Sequence, residues 1–599
     1  MKIPSVIHSC RLIGPGILLL AAAAATLPQV IKGVSCGHDF DFHMLGWLEA
    51  LNSWRQGTLY PHWAATPNFG AGEPRFVFYP PLTWMLGALL RFVIPKLRWT
   101  PLTEILLLLW ATGLGTRALA RELLTEGAST LAGCAAIFSG YALFTAYERS
   151  AFGELSGGLW IPLLLLYILR DRMPAASLPG RAFDGSALPL TLVVAGAWLS
   201  NVPVGVMASY LLAAIALVAA ALRRSWAPIV RATTAAAIGI GLACFYLVPA
   251  TWEQRWVDVK QVTDDPGERI ENSWMFARHA DPALEYHDTV LLKASIIAVT
   301  MLALTLVCML IVLWRDRKRG KLIGARSISR PQALWLPLAL IAPAILFLLV
   351  PASLPVWNLL PKLRYLQFPW RWLVVLEGPM AVFFAAAAWP ARRWARVAAT
   401  AVCALIFAGA AASAGFLFLQ GCDSDDSPWG IQDAFRSGAG VAGTDEYEPP
   451  GADDGLVPMG LPGACLVSDP MVALGAPSPD TNPTWDPAQH TCAATYDFAT
   501  HSTEHLRIAA NVPRGGYLVL RLRRYPAWRV TLNGKAAATF DNRDDGLIAV
   551  AVEQGPVRLT IDWTTTGDVI AGRWLSGFAL LLLAGLGWME LRLARPHLS

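Results

Sequence analysis

The sequence predicts a polytopic α-helical membrane protein with a smaller β-rich domain near its C-terminus. Of the 599 residues, 55% are hydrophobic and only 15% are charged, and the mean hydropathy is +0.45. A soluble domain of average composition carries about 25% charged residues. Several separate apolar runs reach the roughly 18–20 residues that cross a bilayer, whereas residues 421–570 contain none. These observations favour a membrane domain followed by one domain outside the lipid.

Twelve segments have the length and composition of membrane-spanning helices. They are residues 12–31, 100–120, 128–146, 153–170, 187–202, 204–222, 229–250, 291–314, 332–350, 372–390, 394–420 and 571–593. The run 80–95 is short, begins with two prolines and contains Arg91. If this run does not cross, nearly every Lys and Arg cluster lies in the cytoplasm, as the positive-inside rule requires. We therefore expect about 12 spans, one re-entrant or juxtamembrane helix, and both termini in the cytoplasm.

The first apolar segment has a second interpretation. A run of alanines follows its apolar core, which is also typical of a cleaved signal peptide. Either interpretation leaves the sidedness of the following chain unchanged.

This topology divides the chain into three parts. Residues 1–420 form the membrane domain, with a long first outer loop at 32–99; residues 421–570 form an extracytoplasmic β-rich domain; residues 571–599 form the last membrane helix and a cytoplasmic tail. Polar and apolar residues alternate in the second half of the β-rich domain, and Asn533-Gly534 is a hairpin signal. This pattern predicts antiparallel strands packed as a β-sandwich.

Four cysteines lie on the outer side in this topology: Cys36, Cys422, Cys465 and Cys492. A disulfide between Cys465 and Cys492 is plausible in an oxidising compartment.

The stretch GHDFDFH at residues 37–43 follows the first membrane helix and concentrates titratable groups. Asp is a preferred helix N-cap, so Asp39 or Asp41 could simply begin the next helix. Capping needs only one carboxylate, however, and in a turn both could converge on one ion or one substrate. We therefore predict Asp39 and Asp41 as catalytic or metal-ligating residues, with His38 and His43 as substrate-binding neighbours.

Other outer loops place polar groups at the same level. They are Glu73, Arg75 and Tyr79 before the re-entrant helix, Glu148, Arg149 and Glu154 between the third and fourth spans, and Arg364, Gln367 and Arg371 before a later span. A single Arg at a helix end can simply extend to the lipid headgroups. Carboxylates and guanidiniums together at this depth suit an anionic headgroup substrate at the interface.

Several stretches also resemble a known family. They are GHDFDFH…GTLYPHW…FGAGEPRFVFYPPL, YERSAFGEL, LACFYLVPATWEQRWV, LQFPWRWL and YPAWRVTLNGK, in this order along nearly the whole chain. They resemble large bacterial membrane proteins usually labelled 6-pyruvoyl-tetrahydropterin synthase-related, a branch that is similar to the GT-C membrane glycosyltransferases. The pterin label itself gains no support, because the sequence has no soluble pterin-synthase pattern and no convincing three-histidine zinc site.

The resemblance implies a GT-C-like fold, a polyprenyl-phosphate-linked sugar donor and a catalytic acid in the first outer loop. In GT-C enzymes this acid is a general base or part of a metal site, and by position Asp39 matches it best, followed by Asp41. The stretch GAGEPRF departs from the family pattern, because Glu73 and Arg75 replace more neutral residues. This departure leaves the donor contacts open.

We therefore expect a glycosyltransferase of the bacterial inner membrane that moves a sugar from a polyprenyl phosphate to an extracytoplasmic glycan, lipid or protein. Asp39 would be the base, with Asp41 as its partner or a metal ligand. Arg149, Arg371 or a divalent cation would stabilise the leaving phosphate. Carboxylate ligands favour Mg²⁺ or Mn²⁺.

Two other function classes stay open on the sequence. A transporter or flippase for lipid-linked glycans would have ionisable sites near the midplane and two related halves; the spans contain few ionisable residues and no evident repeat. In a non-catalytic structural membrane protein, the loop acids would only cap helices. Nucleic-acid partners are excluded, because the chain has no basic patch interleaved with aromatic residues.

Overall fold

The computed structural model describes residues 5–170, 187–318, 330–452, 456–457, 459–467, 470–474, 496–540 and 543–594. Its α-helices are Ser5–Lys32, Phe40–Arg55, Arg75–Phe78, Pro81–Val93, Trp99–Ala120, Glu126–Ile137, Gly140–Phe144, Phe152–Leu155, Gly157–Leu169, Ala187–Ser200, Val202–Arg223, Ala227–Trp252, Gln261–Asp264, Glu285–Lys318, Arg330–Leu348, Leu354–Leu359, Leu373–Ala388, Arg393–Leu417, Pro428–Ser437, Pro470–Leu474 and Gly567–Ala594.

The chain is a multi-pass α-helical membrane protein. Within the described residues, 10 helices are long and apolar enough to cross a membrane. The expected span at 332–350 is instead a helix pair, Leu334–Leu348 and Pro351–Leu359, bent by 97°. The expected span at 187–202 is the shorter apolar helix Ala187–Ser200, and the residues just before it lie outside the described ranges. All the predicted spans are therefore helical, although 10, or 11 with the bent pair, meet the length criterion.

The run 80–95 forms the 13-residue helix Pro81–Val93. At 1.5 Å per residue such a helix is about 20 Å long, shorter than the roughly 30 Å hydrocarbon core. Pro81 lies in its first turn, where the missing N–H costs nothing. Its length agrees with the expected juxtamembrane or re-entrant helix.

The β-rich domain contains nine strands in the described residues: β1 (Ala464–Val467), β2 (Tyr496–Ser502), β3 (His505–Val512), β4 (Gly516–Arg523), β5 (Trp528–Leu532), β6 (Lys535–Ala536), β7 (Thr539–Phe540), β8 (Leu547–Val552) and β9 (Gly555–Trp563). Four form a sheet in the order β1-β4-β8-β7 and five form a second sheet in the order β2-β3-β9-β5-β6. All pairs are antiparallel. Both sheets contribute to one buried core, which includes Leu466, Ile508, Leu518, Ile548 and Ile561. The predicted β-sandwich is confirmed.

The hairpin signal lies where the sequence predicts it. Leu532 pairs with Lys535 across a two-residue turn. Asn533 and Gly534 in that turn both have positive φ, 49° and 80°, as a type I′ turn requires.

The sandwich packs directly on the membrane domain. Trp63 of the first loop is 1% exposed and belongs to the sandwich core. The Tyr525 hydroxyl donates to Glu253 at the end of the helix Ala227–Trp252. A disulfide joins Cys36, just after the first helix, to Cys422, just after the helix Arg393–Leu417. These contacts enclose a space between the membrane helices and residues 424–447.

Cys465 of β1 is also disulfide-bonded. Cys492, its expected partner, lies outside the described residues.

Candidate functional site

A cavity of about 1400 Å³ lies between the membrane domain and the segment 424–447. We call it the reaction cavity. Nine residues predicted from the sequence line it: His38, Asp39, Asp41, Arg75, Tyr79, Arg149, Glu154, Gln367 and Arg371. Three others, His43, Glu73 and Glu148, are buried behind its wall. The structure therefore brings together loops that are more than 300 residues apart in the chain.

The loop before Asp39 is fastened to the segment 147–150. The Asp39 N–H donates to the Arg149 carbonyl at 2.9 Å, and the Ser35 hydroxyl donates to the Tyr147 carbonyl at 2.6 Å. Gly37 lies so close that a Cβ atom there would be 2.4 Å from the carbonyl oxygen of Glu148. Only glycine fits this approach, which fixes the position of Asp39 relative to Arg149.

Arg149 is presented by an irregular turn. Residues Thr145–Arg149 form a π-helical turn, and Ser150 follows in a left-handed conformation with φ of 48°. Such turns are rare and frequently occur at functional sites. Here the turn directs the Arg149 side chain into the reaction cavity, where it is 5% exposed.

Buried ion pairs connect the charged groups of the cavity floor. Arg149 Nη2 lies 3.4 Å from Asp39 Oδ2, and Arg149 Nη1 lies 3.2 Å from Glu154 Oε2. Arg371 Nε lies 3.3 Å from the same Glu154 oxygen, and the Tyr141 hydroxyl donates to the other one. Two guanidiniums thus face two carboxylates, and buried charges persist only with such partners.

Aromatic rings cover the two guanidiniums. Arg149 lies 5.0 Å from the ring centre of Trp370, and Arg371 lies 5.0 Å from that of Phe368. Arg371 also donates to the Gln367 side chain at 2.8 Å. Gln367 has φ of 60° and ψ of −58°, a strained backbone conformation of a kind that clusters at functional sites.

Asp39 and Asp41 occupy different environments. Asp39 immediately precedes the helix Phe40–Arg55, and Asp41 lies in its first turn. Residues two positions apart on a helix point about 200° apart, so the carboxylates leave the helix in different directions. Asp39 contacts Arg149, whereas Asp41 is exposed and accepts from the Phe42 N–H at 2.7 Å.

Burial is the largest single influence and favours the neutral form of Asp39, but Arg149, Arg371 and the neighbouring histidines together outweigh it and lower the pKa of Asp39 below its usual value. Asp39 is therefore ionised at neutral pH, and its side chain is 36% exposed. An ionised carboxylate that is accessible from a cavity can accept a proton or ligate a cation.

His43 lies behind the cavity and contacts Tyr79, which lines it. His43 is 2% exposed, and its Nε2 lies 3.4 Å from the Tyr79 hydroxyl. Burial lowers the pKa of His43 to about 4, although Asp39 opposes that shift. The imidazole is therefore neutral at pH 7. Burial and the charge of Asp39 raise the pKa of Tyr79.

Glu73 and Arg75 form a buried pair at 2.6 Å. Glu73 accepts from the Thr444 N–H at 2.9 Å, and Arg75 donates to the Phe42 carbonyl at 2.9 Å. The pair therefore joins the first loop to the segment 424–447, which lines the cavity opposite the membrane domain.

Glu148 is 1% exposed and accepts two hydrogen bonds from Lys293, at 2.7 and 2.9 Å. Its carboxylate belongs to the contact between the third span and the helix Glu285–Lys318.

Several acidic residues of the cavity did not emerge from the sequence: Asp265, Glu268, Asp425, Asp426, Asp433, Asp445 and Glu446. Burial and the neighbouring carboxylates of Glu73 and Glu268 raise the pKa of Glu446 to about 7. The runs SDD at 424–426 and TDE at 444–446 are visible in the sequence, but acidic runs in loops are usually only solvated, so they carried no signal.

The many carboxylates in the cavity lining suit a hard divalent cation. Among the described residues, the one cluster of three closely spaced candidate ligands is Cys36, Cys422 and Asp426. Two of these form the disulfide, so that cluster is no metal centre. Mg²⁺ commonly binds through one or two carboxylates and substrate phosphates. Asp39 or Asp41 could supply one such carboxylate, but the different directions of their side chains do not support the expectation that both converge on one ion.

No family model matches the sequence, and no curated protein sequence matches it. Solved structures with a similar arrangement include the oligosaccharyltransferase of Archaeoglobus fulgidus in the apo form, with a TM-score of 0.40 and 12% identity over 73% of this chain and 61% of that one. The arabinofuranosyltransferase AftD from mycobacteria matches with a TM-score of 0.36 and 19% identity over 67% of this chain and 27% of that one. The chain thus spans less than two thirds of the length of either protein.

Proposed function

We propose that the protein is a membrane glycosyltransferase of the GT-C type that transfers a sugar from a polyprenyl-phosphate donor to an acceptor hydroxyl. The observation that carries the proposal is the ion-pair network at the floor of the reaction cavity. It places an accessible, ionised carboxylate beside two buried guanidiniums. The sequence resemblance to the 6-pyruvoyl-tetrahydropterin synthase-related branch supports the same assignment.

In the proposed reaction, the acceptor oxygen bonds to the anomeric carbon as the bond from that carbon to the phosphate oxygen breaks. Asp39 takes the proton of the acceptor hydroxyl, a contribution of about 10²–10⁴ in rate for general bases. Arg149 and Arg371 bind the phosphate as its negative charge grows. The rings of Trp370 and Phe368 beside these guanidiniums exclude water, which strengthens the attraction between the guanidiniums and the phosphate.

Donor binding also prepares the base. In the free protein Arg149 holds the Asp39 carboxylate at 3.4 Å, which makes it a weak base. A phosphate entering the cavity competes for the same guanidinium and releases Asp39 towards the acceptor. Base activation would therefore depend on the presence of the donor.

A divalent cation is compatible with this arrangement. Asp39 or Asp41 would hold it through one carboxylate together with phosphate oxygens, and Mg²⁺ or Mn²⁺ would supply positive charge near the leaving group.

The proposed orientation places the cavity and the sandwich on the extracytoplasmic face of the bacterial inner membrane. The disulfide between Cys36 and Cys422 beside the cavity supports it, because disulfides persist in oxidising compartments. The acceptor would then be an extracytoplasmic glycan, lipid or protein.

The test is sugar transfer from a panel of radiolabelled polyprenyl-phosphate sugars in membranes that contain the full-length protein. Asp39→Asn should lower turnover by about 10²–10⁴-fold at unchanged expression. The matched control is Asp433→Asn, which removes an exposed carboxylate of the same cavity and should leave transfer near the wild-type level. Normal turnover in Asp39→Asn would remove Asp39 from the reaction. Absence of transfer by the wild-type protein from every donor would refute the function.

A further inference from the structure

A second cavity of about 460 Å³ lies beside the reaction cavity, between the outer parts of the last helix and of the helix Ala227–Trp252. We call it the lateral groove. Its lining includes Tyr60, Phe76, Phe245, Tyr246, Arg573 and Gly577. Its volume falls in the range of roughly 300–1,000 Å³ that is typical of ligand pockets. None of these residues takes part in the proposed reaction.

The lining of the groove is mostly apolar and includes Phe76, Phe245 and Leu580. Its polar lining residues include Tyr60, His62, Arg573 and Ser576. Burial raises the pKa of Tyr60, and the positive charge of Arg573 partly opposes that rise. The two side chains are therefore within electrostatic range of each other.

Arg573 lies six residues after Gly567, where the last helix begins. This distance is about 9 Å along the helix axis, close to the end that faces the sandwich. The guanidinium is exposed, and no described residue forms an ion pair with it. An uncompensated cation in the lining of a mostly apolar groove is complementary to the phosphate of a lipid whose chain occupies the groove.

One short segment separates the groove from the reaction cavity. Phe76 and Val77 line the groove, whereas Phe78 and Tyr79 line the reaction cavity. Tyr246, which also lines the groove, donates its hydroxyl proton to the Phe78 carbonyl at 2.6 Å. A ligand in the groove would therefore touch the backbone that shapes the reaction cavity.

We propose that the lateral groove binds a second polyprenyl phosphate, with its isoprenoid chain between the two helices and its phosphate on Arg573. The inference rests on the proposed function, which supplies the class of lipid and its first copy in the reaction cavity. A groove of this volume between two helices accommodates one chain, which favours a single-chain lipid phosphate over a two-chain phospholipid. The second copy is either a lipid-linked acceptor or the carrier released after transfer.

Glycine positions on the last helix provide a sharp test. A Cβ at Gly577 meets no atom within 4 Å, so Gly577→Leu fills the groove without a backbone clash. Gly585 on the same helix also has open space around it and does not line the groove. Gly585→Leu is therefore the matched control for the added side chain and for helix propensity.

The experiment is native mass spectrometry of the purified full-length protein titrated with a polyprenyl monophosphate, with the uncharged polyprenol, or with phosphatidylglycerol. The wild-type protein and Gly585→Leu should retain two copies of the polyprenyl monophosphate, and Gly577→Leu only one. Arg573→Gln should weaken the second binding step about tenfold, which corresponds to about 1.4 kcal/mol. The same change at Arg98, an exposed arginine at the start of another span, should have no effect.

Three results would overturn the inference: retention of both copies by Gly577→Leu, equal retention of the polyprenol, or displacement of the second copy by equimolar phosphatidylglycerol. Failure of the proposed function has a different signature. If the reaction cavity binds no lipid phosphate, the wild-type protein retains one copy and Gly577→Leu retains none.

Discussion

Replacing Arg149 with Met should destabilise the protein mainly by removing one of the two guanidiniums that pair with the buried Glu154. Glu154 and Arg149 are 3% and 5% exposed, and their charged atoms are 3.2 Å apart. Breaking a buried pair by removing one partner costs about 3–5 kcal/mol. Arg371 stays 3.3 Å from the same carboxylate, so we expect a loss near the lower end, about 3 kcal/mol.

The double variant identifies the origin of that loss. Glu154→Gln alone should also cost about 3 kcal/mol, because it leaves two buried guanidiniums to share Asp39. In Arg149→Met/Glu154→Gln both charges of the buried Arg149–Glu154 pair are removed together, so the two losses should not add. Contacting residues show coupling energies of about 0.5–3 kcal/mol, and we expect about 2 kcal/mol here.

The assay is the free energy of unfolding from SDS titration in mixed micelles, measured for the wild type, both single variants and the double variant. Arg121→Met is the control, since Arg121 and Glu126 form a pair that is 56% and 53% exposed. Such a pair contributes about 0–1 kcal/mol. Strictly additive losses for Arg149 and Glu154 would refute the argument that their mutual contact is the source of stability.

Three further changes test other parts of the site. Gly37→Ala should abolish sugar transfer, because its methyl group would lie 2.4 Å from a backbone carbonyl oxygen. The control is Gly46→Ala, in open space within a helix, which should keep activity and raise the free energy of unfolding by about 0.5–1 kcal/mol. Between pH 6.5 and about 4, His43 is protonated in the unfolded chain but not in the native protein. The free energy of unfolding should therefore fall by about 3 kcal/mol as the pH decreases through this window. His43→Phe should remove this part of the pH dependence. Replacing Cys36 and Cys422 with Ser should lower the free energy of unfolding by about 2–4 kcal/mol. Dithiothreitol should then destabilise the variant less than the wild type. An equal effect of the reductant on both would contradict the Cys36–Cys422 disulfide.

The membrane helices could be predicted because their signal is local. An apolar run of sufficient length must be helical in lipid, where every backbone polar group needs an internal partner. The same holds for the turn at Asn533-Gly534, whose residues accept positive φ. Both predictions depend only on neighbours in the chain.

The site depends on contacts that the sequence does not display. The resemblance and the spacing pointed to Asp39, but not to the buried Arg149–Glu154–Arg371 arrangement around it. Glu148 has the same residue type and loop position as Glu154, yet it pairs with Lys293, 145 residues away. Only tertiary packing separates these two roles.

The cysteines show the same limit. The sequence made a Cys465–Cys492 disulfide plausible, but it gave no sign that Cys36 and Cys422, which are 386 residues apart, form one. The fold brings the ends of the helices Ser5–Lys32 and Arg393–Leu417 together. No local sequence pattern predicts this contact.

The long-range disulfide also sets an order for biogenesis. Cys36 leaves the ribosome early, and its partner follows 386 residues later. At roughly 5–20 residues per second, translation needs on the order of 20 to 80 s to supply it. During that interval the nascent polypeptide carries an unpaired thiol three positions before Asp39. Maturation of the protein would then require an oxidant that acts late, after more than two thirds of translation is complete.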